Sequence, residues 1–155
     1  MTEPIYSWLY AQQGVDAVTA AIGRRMEAEA GCSLLEHAAL FRLHHSGGRL
    51  RMSELAELLE VSPSGVTRLV ERLVERGWVA REQPADNRRL VIAVLTPEGE
   101  EMCLGTTAPV YRASLAEEFT ALLNDRDLAD LRRIGRKLLE GHGRWDVQRF
   151  APSEE

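Results

Sequence analysis

The sequence predicts a mainly α fold with a small β-hairpin wing, a winged helix-turn-helix flanked by N- and C-terminal dimerisation helices. Three observations carry this. Residues 51–97 read RMSELAELLEVSPSGVTRLVERLVERGWVAREQPADNRRLVIAVLTP, in which two short amphipathic helices joined by a tight turn run into two β-branched strands around an arginine-rich tip. Long runs with helical apolar spacing lie on either side of that stretch. Basic charge is gathered inside it: residues 62–89 hold six arginines (68, 72, 76, 81, 88 and 89) and four acids, a net +2 within a chain of net −5.

The first helix is read over residues 5–29, where Trp8, Val15, Ile22 and Met26 recur near the 3.6-residue period and only Gly14 and Gly23 interrupt. Gly31 ends it. Ser33-Leu-Leu-Glu36 has the spacing of a capping box, so a second helix starts near Leu34 and runs to about Ser46, before Gly47-Gly48. That helix is apolar nearly all round, with only Glu36 and Arg42 reading as clearly wet, which predicts burial between the winged part and the remainder. His37 and His44 lie on it seven residues apart. At 1.5 Å rise this is roughly 10 Å, too far for one shared ion, so both read as satisfied interior histidines.

Arg49-Leu50-Arg51 reads as an edge strand, and Ser53 as the cap of a helix carrying Leu55, Ala56, Leu58 and Leu59. Ser62-Pro63 restarts the chain with a hydroxyl cap and a proline at the first helical position. In the helix that follows, Val66, Leu69, Val70, Leu73 and Val74 form one arc, while Ser64, Thr67, Arg68, Glu71, Arg72 and Glu75 form the other. A polar arc on the second of two helices joined by a short turn suits the ~12 Å major groove of DNA, with Ser62, Ser64, Thr67, Arg68 and Arg72 as the groove-facing set. Gly77 closes this helix. Residues 78–83 and 90–95 read as strands, and Arg88 and Arg89 at the tip between them are placed to follow the phosphate backbone or an adjacent minor groove. Asp86 is expected to hold an arginine or the turn backbone there.

Thr96-Pro97 repeats the cap-then-proline start and opens a helix with Met102, Val110, Leu115, Phe119 and Leu122 as its apolar contacts and a kink at Pro109. Asn124 caps a final helix whose Leu128, Leu131, Ile134, Leu138 and Leu139 form a stripe too apolar for a monomer surface. Trp145, Val147 and Phe150 suggest that the tail docks onto a neighbouring surface, and the last few residues are expected to be disordered.

The stretch from about Ser33 to Glu101 closely resembles the MarR family of bacterial transcription factors. The resemblance is carried by the Asp86-Asn-Arg-Arg89 wing tip, the strand entering Leu95-Thr96-Pro97-Glu98-Gly99, and the helix from Ser62 to Arg72, in the family's order and spacing. It implies dimerising helices at both ends, giving residues 1–32 as an N-terminal dimerisation helix, 33–97 as the DNA-binding region, 98–143 as C-terminal dimerisation helices and 144–155 as a tail, within one structural domain. It also implies a homodimer on double-stranded DNA, acting as a repressor at a pseudo-palindromic operator and answering to a small aromatic or phenolic effector. Trp8, Gln12, His44 and Tyr111 are the candidate effector contacts.

Composition narrows the alternatives. No apolar run approaches the roughly 20 residues that span a bilayer and no signal pattern opens the chain, so a cytoplasmic protein without membrane contact is expected. Cys32 and Cys103 lie 71 positions apart, which suggests neither a disulfide framework nor a cysteine metal site. No phosphate-binding glycine loop, HExxH helix or nucleophile elbow is present, so no enzymatic activity and no cofactor are expected. Two rival regulators share the fold: a redox sensor through Cys32, and a metal sensor recruiting Cys32, His37, His44 or His45. A pure interaction module, its basic tip facing an acidic protein, is the remaining rival.

Overall fold

A computed structural model describes residues 3–146 of the chain. It divides into two compact units, Met1–Leu115 and Ala116–Glu155. Val147 and Phe150, expected to dock the tail, lie outside the described residues.

Helix α1 spans Glu3–Arg25 and continues as one wider, π-helical turn, Met26–Ala30. Gly31 stops it in the left-handed region at φ 59°, where a side chain would be strained. Of the expected stripe, Ile22 and Met26 are buried, whereas Trp8 and Val15 are each 63% exposed. Only the C-terminal end of α1 packs within its own unit. Helix α2 spans Leu34–His45, and its capping box is formed in both directions: the Ser33 hydroxyl accepts from the Glu36 N–H at 3.2 Å and Glu36 accepts from the Ser33 N–H at 2.9 Å. The expectation that Glu36 is wet is corrected, since it is 5% exposed. Periodicity within α2 does not reveal that α4 covers this face.

Strand β1 (Arg49–Arg51) leads into α3 (Met52–Leu59). The cap of α3 is not the Ser53 hydroxyl, because the helix begins at Met52 with Arg51 at the cap position, and Glu54 reaches back to the Arg51 N–H at 2.9 Å. A turn through Glu60, at φ 58°, leads to α4 (Pro63–Glu75), capped by Ser62 on the Gly65 N–H at 3.1 Å. Strands β2 (Val79–Glu82) and β3 (Ile92–Leu95) complete an antiparallel sheet in the order β1-β3-β2, with Leu50 and Arg81 both opposite Ala93. The hairpin therefore owns its central strand, and β1 is an edge.

Helix α5 (Pro97–Glu101) passes through a π-helical stretch, Met102–Thr107, into α6 (Ala108–Glu118). This stretch ends at Thr107, immediately before Ala108-Pro109, where the sequence predicts a kink. The Ala108 N–H reaches back five residues to the Cys103 carbonyl, so the widened turn falls just before the residue that has no N–H to give. The helix stops at Glu118, and Thr120–Leu122 is a short 3₁₀ turn, so Phe119 and Leu122 lie beyond it.

The main core gathers Leu40, Leu43, Leu55, Leu69, Val70, Leu73, Val79 and Ala93, at 2% exposure or less, from α2, α3, α4 and the sheet. Each such leucine contributes about 1.5–3 kcal/mol of transfer free energy relative to water. A second cluster, Ile22, Met26, Ala30 and Cys32, packs against Val110, Tyr111 and Leu115. Trp78 and Met102 pack against both clusters and join them.

In the second unit, α7 (Asp125–Gly141) begins at Asn124, whose Oδ1 accepts from the Arg126 and Asp127 N–H groups while Asp127 answers on the Asn124 N–H at 3.1 Å. Its Leu131, Ile134 and Leu138 are 44–56% exposed.

Candidate nucleic-acid interface

The helix α4 buries Val66, Leu69, Val70 and Leu73 and leaves Ser62, Ser64, Thr67, Arg68, Glu71, Arg72 and Glu75 exposed. Local hydrogen bonds already occupy several of these side chains. The Ser62 hydroxyl caps the helix and lies 3.1 Å from Ser64 Oγ, and the Thr67 hydroxyl donates to the Pro63 carbonyl at 2.9 Å.

The arginines of residues 62–89 fall into two groups. Among the described residues, the guanidiniums of Arg68, Arg88 and Arg89 make no hydrogen bond or ion pair and are exposed. The other three are engaged. Arg81 on β2 donates to the Thr67 carbonyl at 3.1 Å and lies 3.6 Å from Glu71. Arg72 faces the buried carboxylate of Glu36 at 3.6 Å. Arg76 is 4.0 Å from the same carboxylate, donates to the Gly31 carbonyl at 2.6 Å and sits 4.6 Å over the Trp78 ring. Position on the polar arc did not distinguish Arg72 from Arg68; the partner that does so lies on α2.

The wing tip is two tight turns in succession: the Asn87 N–H donates to Pro84 and the Leu90 N–H to Asn87, each at 3.1 Å. The side chain that holds the tip is Asn87, whose Oδ1 accepts from the Arg89 N–H at 3.2 Å. Asp86, expected in that role, is exposed, and among the described residues its carboxylate makes no hydrogen bond or ion pair. Asx side chains bond the backbone two residues on, and here residue 87 has that spacing to the turn. The base of the wing is tied by a two-pronged pair between Arg49 and Glu82, one contact being 3.1 Å.

A threonine locks the wing to α5. The Thr96 hydroxyl donates to the Gly77 carbonyl at 2.7 Å and accepts from the Gly99 N–H at 3.0 Å, while the Thr96 N–H donates to the Trp78 carbonyl at 3.1 Å. A β-carbon at Gly99 would lie 2.0 Å from the Trp78 oxygen, so this approach demands glycine.

Trp8 and Gln12 are exposed on α1, and Tyr111 stacks on His37 at 4.8 Å between ring centres. His44 is 3.1 Å from Glu100 and borders a cavity of about 370 Å³ with Gly47, Gly48 and Leu95. His37 is buried against Thr107, its Nδ1 2.8 Å from the hydroxyl, and burial lowers its pKa. The Thr107 hydroxyl also lies 3.2 Å from the Cys103 carbonyl, so it links His37 on α2 to the π-helical stretch.

Both cysteines are buried. Desolvation, with the Glu36 charge adding to it, pushes the Cys32 thiol up to about 12, and desolvation raises Cys103. Neither has the lowered pKa that a thiol sensor requires. Among the described residues no three His, Cys, Asp or Glu side chains converge as a metal site, and no helix is long and apolar enough to cross a membrane.

The chain matches the model of the MarR family over residues 32–91. It is 33% identical over 112 residues to the uncharacterised HTH-type transcriptional regulator YhbI of Bacillus subtilis, covering 70% of this chain and 71% of that protein. It is 31% identical to the transcriptional repressor MdtR of the same organism, over 60% of this chain and 59% of that one. Among solved structures, Sco3205, a MarR family transcriptional regulator from Streptomyces coelicolor crystallised in complex with DNA, superposes with a TM-score of 0.83 at 28% identity, covering 99% of this chain and 91% of the other.

Proposed function

Since the chain belongs to the MarR family and is a transcriptional regulator, we propose that it binds double-stranded DNA as a homodimer through α4 and the β2–β3 wing. The observation that carries this reading is the state of Arg68, Arg88 and Arg89: three exposed guanidiniums without a partner among the described residues, one on the polar face of α4 and two at the wing tip. Guanidiniums in this arrangement suit guanine edges and phosphates. Asp86 stands beside them as an exposed acid rather than as a contact.

The dimer is supported by apolar surface at both ends of the chain. On α1, Ile5, Tyr6, Trp8 and Tyr10 are 52–72% exposed, and on α7 Leu131, Ile134 and Leu138 are exposed. A two-fold dimer sets its α4 helices about 10 base pairs apart and reads a pseudo-palindrome. We read the regulator as a cytoplasmic repressor, relieved by a small aromatic or phenolic effector that binds its DNA-competent and DNA-incompetent arrangements with different affinity. Trp8, Gln12, His44 and Tyr111 are its candidate contacts.

Footprinting on the DNA that flanks the protein's own gene, with and without aromatic acids, tests partner, symmetry and induction together. Arg88→Ala is expected to weaken binding to every duplex and to shallow its salt dependence, whereas Arg68→Ala and Thr67→Ala also relax base preference. Unaltered operator affinity in all three variants refutes this placement of the DNA surface.

A further inference from the structure

Glu36 carries a charge for which the DNA-reading surface has no direct use. Its side chain is 6% exposed, with Oε2 closing the cap on the Ser33 N–H at 2.9 Å and Oε1 turned toward α4. A carboxylate withdrawn from water is tolerated when cations compensate it, and here the two cations are Arg72 on α4 and Arg76 at its C-terminal cap. The two are not equivalent. Arg76 is also anchored on the Gly31 carbonyl and the Trp78 ring. Among the described residues Arg72 pairs with Glu36 alone: its side chain is 51% exposed, at the margin of the polar face, and its Nε lies 3.6 Å from the carboxylate.

A carboxylate and a phosphate are alternative partners for the same guanidinium fork. We propose that Glu36 is a positioning residue that competes with DNA phosphate for Arg72 and thereby sets the ratio of specific to non-specific binding. This rests on the DNA-binding reading above. On an arbitrary duplex, Glu36 keeps Arg72 turned toward α2, and the complex forms without that charge. On the operator, the fitted register of α4 offers Arg72 a phosphate or base edge good enough to displace the carboxylate. Non-specific affinity depends on the number of phosphates neutralised, so withholding one arginine lowers it while the operator complex keeps its full set.

The test compares wild type, Glu36→Gln, Arg72→Gln and the double variant on a random-sequence duplex and on the footprinted operator, by fluorescence anisotropy across a sodium chloride series. Glutamine retains an acceptor for the Ser33 N–H and removes only the charge. Glu36→Gln is expected to tighten random-duplex binding several-fold at low salt and to steepen its log–log salt slope by about 0.9, one added phosphate contact. In the Arg72→Gln background the same change is expected to leave the slope unaltered, which separates a specific competition from a general loss of negative charge. Arg72→Gln alone is expected to lower operator affinity about tenfold while leaving the random-duplex slope unchanged, a readout that does not require the Glu36 variant to fold. The inference is overturned by a wild-type slope in folded Glu36→Gln, by the same gain without Arg72, or by a random-duplex slope that shallows on Arg72→Gln. Absence of duplex binding by the wild type would remove the DNA reading itself and this inference with it.

Discussion

The guanidinium of Arg81 donates to the backbone carbonyl of Thr67 at 3.1 Å, tying the first strand of the wing to the middle of α4. The Glu71 carboxylate, 3.6 Å away, holds the same guanidinium from the next turn. Arg81 thereby belongs to the frame that sets the angle between groove-reading helix and wing. Arg81→Ala is expected to lower unfolding free energy by about 0.5–1.5 kcal/mol in urea, since the pair is largely exposed. Operator affinity is expected to fall by more than that stability loss explains, because the wing loses its fixed approach. Equal affinity in the variant would show that the wing's angle is set elsewhere.

Gly99 tests the lock between wing and α5. An added methyl would sit 2.0 Å from the Trp78 carbonyl oxygen, a backbone atom that can move only with the strand that follows it, and 2.9 Å from Leu95 Cδ1. Gly99→Ala is expected to destabilise by about 3 kcal/mol or more, at the upper end of overpacking effects. Gly105 provides the control, since a β-carbon there meets nothing within 4 Å. Gly105→Ala is expected to be neutral or stabilising by up to about 1 kcal/mol, as usual for glycine in a helix. Chemical denaturation of both variants checks the contrast.

The thiols are expected to be slow to react. With its pKa at about 12, Cys32 is ionised in roughly one molecule in ten thousand at pH 8. Ellman's reagent is expected to label two thiols in denaturant and to react with neither on the same timescale in the folded protein, and peroxide is expected to leave DNA binding unaltered. The sign with pH follows: a thiol pKa raised above its unfolded value of 9.0 contributes stability in full below pH 9, and that contribution is lost as pH rises toward 12. Rapid labelling of folded protein would restore the redox alternative.

His37 gives the opposite dependence. Burial lowers its pKa below 6.5, so between the two values the unfolded chain takes up a proton that the folded one refuses. Stability is then unaffected above about pH 6.5 and falls as pH drops below it, by at most about 1.4 kcal/mol per pH unit from this group. His37→Asn keeps a hydrogen-bonding group near the Nδ1 position for Thr107 and is expected to flatten that part of the profile, measured by urea unfolding between pH 5 and 7. An unchanged slope would assign the acid sensitivity to other groups.

Element order and element ends were legible because their causes are local. Ser33 with Glu36, Ser62 with Pro63, Thr96 with Pro97 and Asn124 each announce a helix start through bonds within three residues, and each is formed. Ser53 misled because a second local solution, Glu54 on the Arg51 N–H, places the cap two residues earlier. The π-helical stretch before Pro109 and the Asn87 contact at the wing tip depend on which of several near-equal hydrogen-bond partners wins. Residue type alone does not rank these.

By itself, the sequence determined that α4 has one apolar and one polar face and that arginines crowd its polar face and the following hairpin. Periods of 3.6 and 2.0 residues follow from backbone geometry alone. Tertiary structure decided which of those arginines stay free. Glu36 reads as a solvated acid within its own helix, and becomes the buried partner of Arg72 and Arg76 only when α2 packs against α4. The preference of a charged side chain for water, for a carboxylate or for a phosphate depends on the groups brought within about 4 Å of it. For Arg72 that group stands 36 positions away in the chain, beyond the reach of any local pattern.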